Sequence, residues 1–173
     1  MRETPQQYTQ RILSYSEGKD ALAVQSTTAK KLATLTKGLA KSQLRRKPAP
    51  DKWSIAQIMA HLADAEVVLG WRLRLVLGSN GIAIQPFDQD VWSNIFDYEH
   101  SDPRESLESF RTLRAANLAL LKRVPKELWN NYGMHQERGK ETVAHMVQMI
   151  AGHDLNHLRQ IEEIARNKAK RAA

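Results

Sequence analysis

His153 and His157 stand four residues apart, and on a helix that spacing sends both side chains out of one face about one turn apart. Two imidazoles so placed can share one metal ion. Met146, Ile150, Gln160 and Ile164 fall on the same stripe, so the pair interrupts a face that otherwise points into a core. Buried imidazoles need partners, and either a hydrogen-bonded polar pair or an ion with a third ligand supplies them. His61 is available as that third ligand, because it lies on a stripe with Ile58, Ala65 and Leu69. Three inward nitrogens with no fourth protein ligand make an open site, completed by water or substrate, of the kind that can act chemically. The alternative, a satisfied polar core, stays open at this point.

Other side chains could assist such a centre. Asp64 follows His61 by three residues and points to a similar face, where it could orient an imidazole, accept a proton or simply face water. Gln160 shares the stripe of His153 and could bond a metal-bound water or sit at the surface edge. Asp154 follows His153 as Glu does in the HExxH motif of zinc proteases, but its side chain is shorter and Asn156 departs from that motif as well. His135 and His145 are weaker ligand candidates, and His100 reads as a loop residue. Arg72, Arg74 and Arg159 offer positive charge for an anionic substrate, although arginines at helix edges usually face water. No Gly-rich phosphate loop and no serine nucleophile elbow is present.

The elements that must hold these groups are helical. Tyr8, Ile12 and Leu13 read as a short N-terminal helix over about 4–16, ended near Gly18. The leucine stripe Leu32, Leu35, Leu39 gives a first long helix from about Thr27 to Leu39. Pro48 and Pro50 break the pattern. Ser54 with Gln57 has the capping-box form and starts helix two, which runs to about Leu77. A long connection over Ile82 to Ser101 follows, with Phe87, Asp88, Asp90 and Trp92 as a candidate substrate lip or a plug for the bundle end. Asp102, Pro103 and Glu105 start helix three, which reaches Arg123 before Pro125. Helix four spans about Glu141 to Ala165. With no convincing two-residue alternation anywhere, the expected fold is all-α: a single-domain antiparallel four-helix bundle over 1–173 with a long connection between helices two and three.

Composition narrows the function. The 173 residues suit one domain, and the absence of cysteine removes disulfides, thiolate ligands and a cysteine nucleophile, so any metal must use nitrogen and oxygen donors. No signal-peptide core and no apolar run of membrane-spanning length occurs, which makes a soluble, cytoplasmic protein the expectation. Part of the formal charge of +7 sits in Arg45, Arg46, Lys47 and in a basic tail over about 166–173. It is not interleaved with aromatics as a nucleic-acid platform would be, so nucleic acid is not the expected partner.

Three strings carry a family resemblance: KWSIAQIMAHLADAE from Lys52 to Glu66, QPFDQDVW from Gln85 to Trp92, and GHDLNHLRQI from Gly152 to Ile161. In this order they resemble the DinB-like superfamily, particularly its YfiT-type branch of metal-dependent hydrolases and thiol transferases, over about Thr4 to Arg166. The resemblance implies that His61, His153 and His157 bind a divalent transition metal such as Zn, Ni, Fe or Mn. It also implies an enzyme acting on a small molecule, either a hydrolase or a transferase of low-molecular-weight thiols such as bacillithiol or mycothiol; Asp64 is the candidate proton acceptor by its place one turn from His61, not by the resemblance. A non-catalytic, stress-linked metal- or ligand-binding bundle is the alternative, and a homodimer formed through an apolar helix face is compatible with either.

Overall fold

The computed structural model describes residues 3–169. The basic tail expected over 166–173 lies outside them after residue 169. Local capping sets most helix starts. Thr4 and Gln7 form a reciprocal capping box for α1, Pro5–Ser16, and Gly18, at φ +69°, takes the left-handed turn after it. The next helix begins earlier than its leucine stripe suggests. α2 spans Ala21–Thr36 because the Asp20 carboxylate accepts from the backbone N–H of Leu22 and Ala23. A single turn, α3 (Lys41–Leu44), precedes the proline segment. Ser54 and Gln57 cap α4, Ile55–Gly78, in the expected manner.

The long connection is not bare loop. It holds β1, Ile82–Ile84, and α5, Gln89–Ile95, which starts where Asp88 accepts from the N–H groups of Asp90 and Val91. Asp102 caps α6, Pro103–Arg123, with the proline in the first turn. A short 3-10 helix (Lys126–Asn130) leads to β2 (Tyr132–His135) and β3 (Gly139–Thr142), and α7 covers Val143–Ala169.

The reading without strands is therefore corrected in detail. β1 pairs parallel with β2, and β2 antiparallel with β3, placing Ile84 opposite His135 and Gly133 opposite Glu141. Glu141, expected to open the last helix, belongs to β3. Strands of three or four residues are too short to show alternation, and they are stable here because one sheet face packs on α4, where Val76 and Ile84 share a buried cluster.

α2, α4, α6 and α7 close a ring in which α4 packs on α6, α6 on α2, α2 on α7 and α7 on α4. Helices consecutive along the chain, α2 and α4, thus lie across a diagonal, which differs from a simple up-and-down bundle. α1 lies outside the ring against α7. The crossing is close: a Cβ added at Gly152 would come within 2.0 Å of the backbone oxygen of Ile12. Gly152→Ala is expected to push α1 off α7 and cost about 1–3 kcal/mol, the usual penalty of overpacking. Urea denaturation with an unchanged midpoint would refute that close approach.

Two apolar clusters fill the ring. One joins Ile58, Leu62, Phe110, Leu158 and Ile161, the other Leu69, Leu73, Val76, Leu121 and Val147. Between them lies a polar layer. Arg114, from α6, donates from Nη1 to Asp154 Oδ2 and the backbone oxygen of Gln25, and from Nη2 to Glu66 Oε1 and Asp154 Oδ1. Thr28 Oγ1 donates to Asp154 at 2.7 Å, and Asn117 Nδ2 donates to Glu66. Each of the four ring helices contributes to this layer, and all three charged side chains are at most 4% exposed.

Candidate metal centre

His61 projects from the first half of α4, and His153 and His157 from one face of α7. The ring packing that sets α7 against α4 brings the three together. Nε2 of His153 lies 3.0 Å from Nε2 of His61 and 3.1 Å from Nε2 of His157. One nitrogen from each side chain lies within 4.8 Å of the other two, and all three rings are buried. Ring orientation has separate causes. His157 Nδ1 lies 2.8 Å from Gln160 Oε1, which fixes the proton on Nδ1 and leaves Nε2 with its lone pair facing the other histidines. His61 is wedged between Trp53 and Phe87, with ring centroids 5.0 and 6.4 Å away.

These nitrogens do not satisfy one another. A ring nitrogen offers one lone pair or one N–H, so His153 Nε2 makes at most one well-directed hydrogen bond, yet it has two neighbours at bonding distance. Nδ1 of His61 and of His153 are also buried without a protein partner among the described residues. A cation resolves the convergence of lone pairs. Ligand nitrogens about 2.0–2.1 Å from zinc would sit roughly 2.9 to 3.4 Å apart, depending on coordination geometry, and the two spacings at His153, 3.0 and 3.1 Å, fall in that interval. The donor set fits a borderline divalent ion. The polar layer adds to the fit, since Arg114 faces two carboxylates and the layer carries a buried excess of one negative charge, with Asp154 directly after His153.

Protonation follows burial. Desolvation holds His61 and His153 well below the usual imidazole value of 6.5, with the neighbouring histidines adding to the effect. Desolvation likewise takes His157 and the β2 residue His135 down to about 4, and nearby Arg138 reinforces the shift at His135. At neutral pH these imidazoles are free bases. Between about pH 6.5 and 4 the unfolded chain binds more protons than the folded one, so stability falls as pH falls through that window. Metal-free protein is expected to lose up to about 1.4 kcal/mol per pH unit for each such histidine, and His135→Gln to flatten part of the slope. Melting temperatures that stay level from pH 6.5 to 4 would mean the rings are charged in the fold.

Access exists on two sides. A cavity of about 110 Å³ touches His61 and His153. Another of about 570 Å³ touches His157, and Tyr8 and Gln89 line both. Of the sequence candidates, Gln160 and Phe87 are at the centre. Asp64 accepts from the Tyr98 hydroxyl at 2.5 Å and lines neither cavity. Arg72 lines the smaller cavity, whereas Arg159 is exposed and paired with Glu163. His145 lies 3.9 Å from Glu141, and His100 bonds Asp97 at the surface. Sequence reasoning missed Glu66, Arg114 and Trp53.

The DinB superfamily model matches residues 26–161, a span that contains all three histidines. YfiT of Bacillus subtilis, which carries the provisional name of metal-dependent hydrolase, is 28% identical over 138 residues, 79% of this chain and 77% of its own. A protein of Oceanobacillus iheyensis with the same kind of provisional name is 26% identical over 117 residues, 67% of each chain. The solved structure of Bacillus subtilis YfiT, described as an unusual four-helix bundle topology, superposes with a TM-score of 0.81 at 23% identity, covering 98% of this chain and 93% of that one. Family model, relatives and fold agree, and the chain belongs to the DinB superfamily, among relatives named as metal-dependent hydrolases.

Proposed function

We propose that His61, His153 and His157 hold one divalent transition-metal ion and that the protein hydrolyses a small molecule at this centre. The observation that carries the reading is the convergence of three buried Nε2 atoms that cannot satisfy one another, beside a cavity. An ion so held supplies Lewis acidity and lowers the pKa of a water or thiol presented to it. The chain's own groups do the rest. Burial keeps the ligands deprotonated, Gln160 fixes the tautomer of His157, and Trp53 and Phe87 hold His61 and keep bulk water from it. Asp64, three residues beyond His61, is the proposed proton acceptor; because Tyr98 ties its carboxylate outside both cavities, it takes up that role only when this hydrogen bond opens.

Thiol transfer is the second reaction such a centre can serve, since the same acidity makes a thiolate nucleophile. The test is a metal-loaded preparation, its content verified by elemental analysis, assayed against small esters and amides and, separately, for conjugation of bacillithiol, mycothiol and simple thiols to an electrophile. Hydrolysis that disappears with the metal is the expected result. Conjugation alone would make the protein a transferase, and silence in both panels from loaded protein would leave a metal-binding module. Asp64→Asn is expected to keep the metal and lose on the order of 10²-fold in rate; an unchanged rate removes Asp64 from the mechanism.

A further inference from the structure

The smaller cavity has a direction. His61, Ala65, Leu69 and Arg72 run along α4 on one of its walls, and Met146, Ile150 and His153 run along α7 on another. The histidine centre therefore closes one end and Arg72 stands at the other, eleven residues and about 16 Å further along the α4 axis. The gap is shorter than that, because a helical side chain leans back toward its own N-terminus. Between the ends the walls are apolar, with Val68, Met149 and Phe87 completing them.

The two arginines of this cavity differ. Arg138 is neutralised by the buried Glu141, which accepts from both its Nε and its Nη2. Among the described residues Arg72 donates only to the neutral backbone oxygen of Gln85, and it lies 6.0 Å from the Phe87 ring centre. Among the described residues no carboxylate is in salt-bridge reach of it. Burial lowers its pKa to about 10, which still leaves it charged at neutral pH. A half-buried guanidinium with donors to spare, at the end of an apolar cavity, recognises an anionic head.

We propose that this cavity binds a small carboxylate-bearing molecule with an apolar body, its anionic end on Arg72 and its other end at the histidine centre. The proposal deepens the function above and rests on it only for the reactive end. The volume limits the body: a cavity of roughly 150 Å³ holds a benzene molecule, so about 110 Å³ is smaller than a ring of that kind fills and suits a short acyl chain. Since a metal ion would itself attract carboxylates, the binding test must be run in both metal states.

Isothermal titration calorimetry with butyrate and pentanoate, each against its neutral amide, on metal-free and on metal-loaded protein, decides the matter. The acids are expected to bind at least about 10-fold tighter than the amides in metal-free wild-type protein. Arg72→Met should abolish that preference and Arg72→Lys should keep most of it. Equal affinities for acid and amide in metal-free wild type, no binding of the acids at millimolar concentration, or an undiminished acid preference in Arg72→Met would each overturn the proposal. The wild-type comparison decides even if Arg72→Met does not fold. Metal uptake, measured separately, keeps the two readings apart. One equivalent of metal with no acid preference defeats this inference alone, whereas an Arg72-dependent acid preference with no metal uptake defeats the metal centre alone.

Discussion

Replacing His153 by alanine is expected to lower metal affinity by more than about 10²-fold. His153 is the middle ligand, with its Nε2 within 3.1 Å of both other nitrogens, so its loss leaves an ion with two of its three protein ligands. Losing a group that merely orients a ligand already costs 10–100-fold, and loss of the ligand itself exceeds that. The fold should survive. The removed ring has a buried Nδ1 without a protein partner, so the cavity left behind is offset by the loss of an unsatisfied polar atom. Competition with a chromophoric chelator gives the affinity, and circular dichroism the fold. One equivalent bound by folded His153→Ala with wild-type affinity would show that the ion, if held at all, is held elsewhere.

Arg114→Met is expected to be the most destabilising of the substitutions considered, at about 3–5 kcal/mol, the cost of breaking a buried ion pair. Burial opposes the Arg114 charge, but Asp154 and Glu66 outweigh it and raise its pKa. Methionine would fill the volume and leave two buried carboxylates facing each other. Domains are stable by only about 5–15 kcal/mol, so the loss is a large share of the whole. Adding Asp154→Asn to Arg114→Met should recover part of the loss. Urea denaturation measures all three, and an Arg114→Met midpoint equal to wild type would mean that the polar layer does not hold the ring together.

The helices were legible in the sequence because their signals are local. Ser54 and Asp102 announce α4 and α6, and the apolar stripes of those helices face the clusters found in the ring. α2 was misplaced at its start because its first turns are held by Asp20 and by the buried polar Gln25 and Thr28, which interrupt no leucine stripe. The strands gave no signal at their length, and β1 finds its partner some fifty residues away. The histidines were readable as polar residues interrupting core-facing stripes. The same sign marks Arg114 between Phe110 and Leu118, and Glu66 between Leu62 and Leu69. Charge concealed it, since a lone arginine or glutamate on a helix normally faces water, and only the meeting of α4, α6 and α7 makes them mutual partners. Tyr98 reaches Asp64 from the long connection, a contact that no local pattern announces.

The Arg114 layer divides the molecule by how readily its parts can open. It binds α2, α4, α6 and α7 to one another and holds none of α1, α5 or the β2–β3 hairpin. Yet those outer pieces supply Tyr8, Gln89, Arg138 and Glu141 to the cavity beside the histidines. Local openings draw on the least buried units first, at free energies well below that of global unfolding. In amide hydrogen exchange the amides of α1, α5 and the β2–β3 hairpin that cover the cavity should therefore exchange through brief, low-energy fluctuations, while the α4 and α7 amides around His61 and His153 wait for the whole ring to open. A molecule can enter and leave through the cover without loosening the side chains that must stay aligned inside.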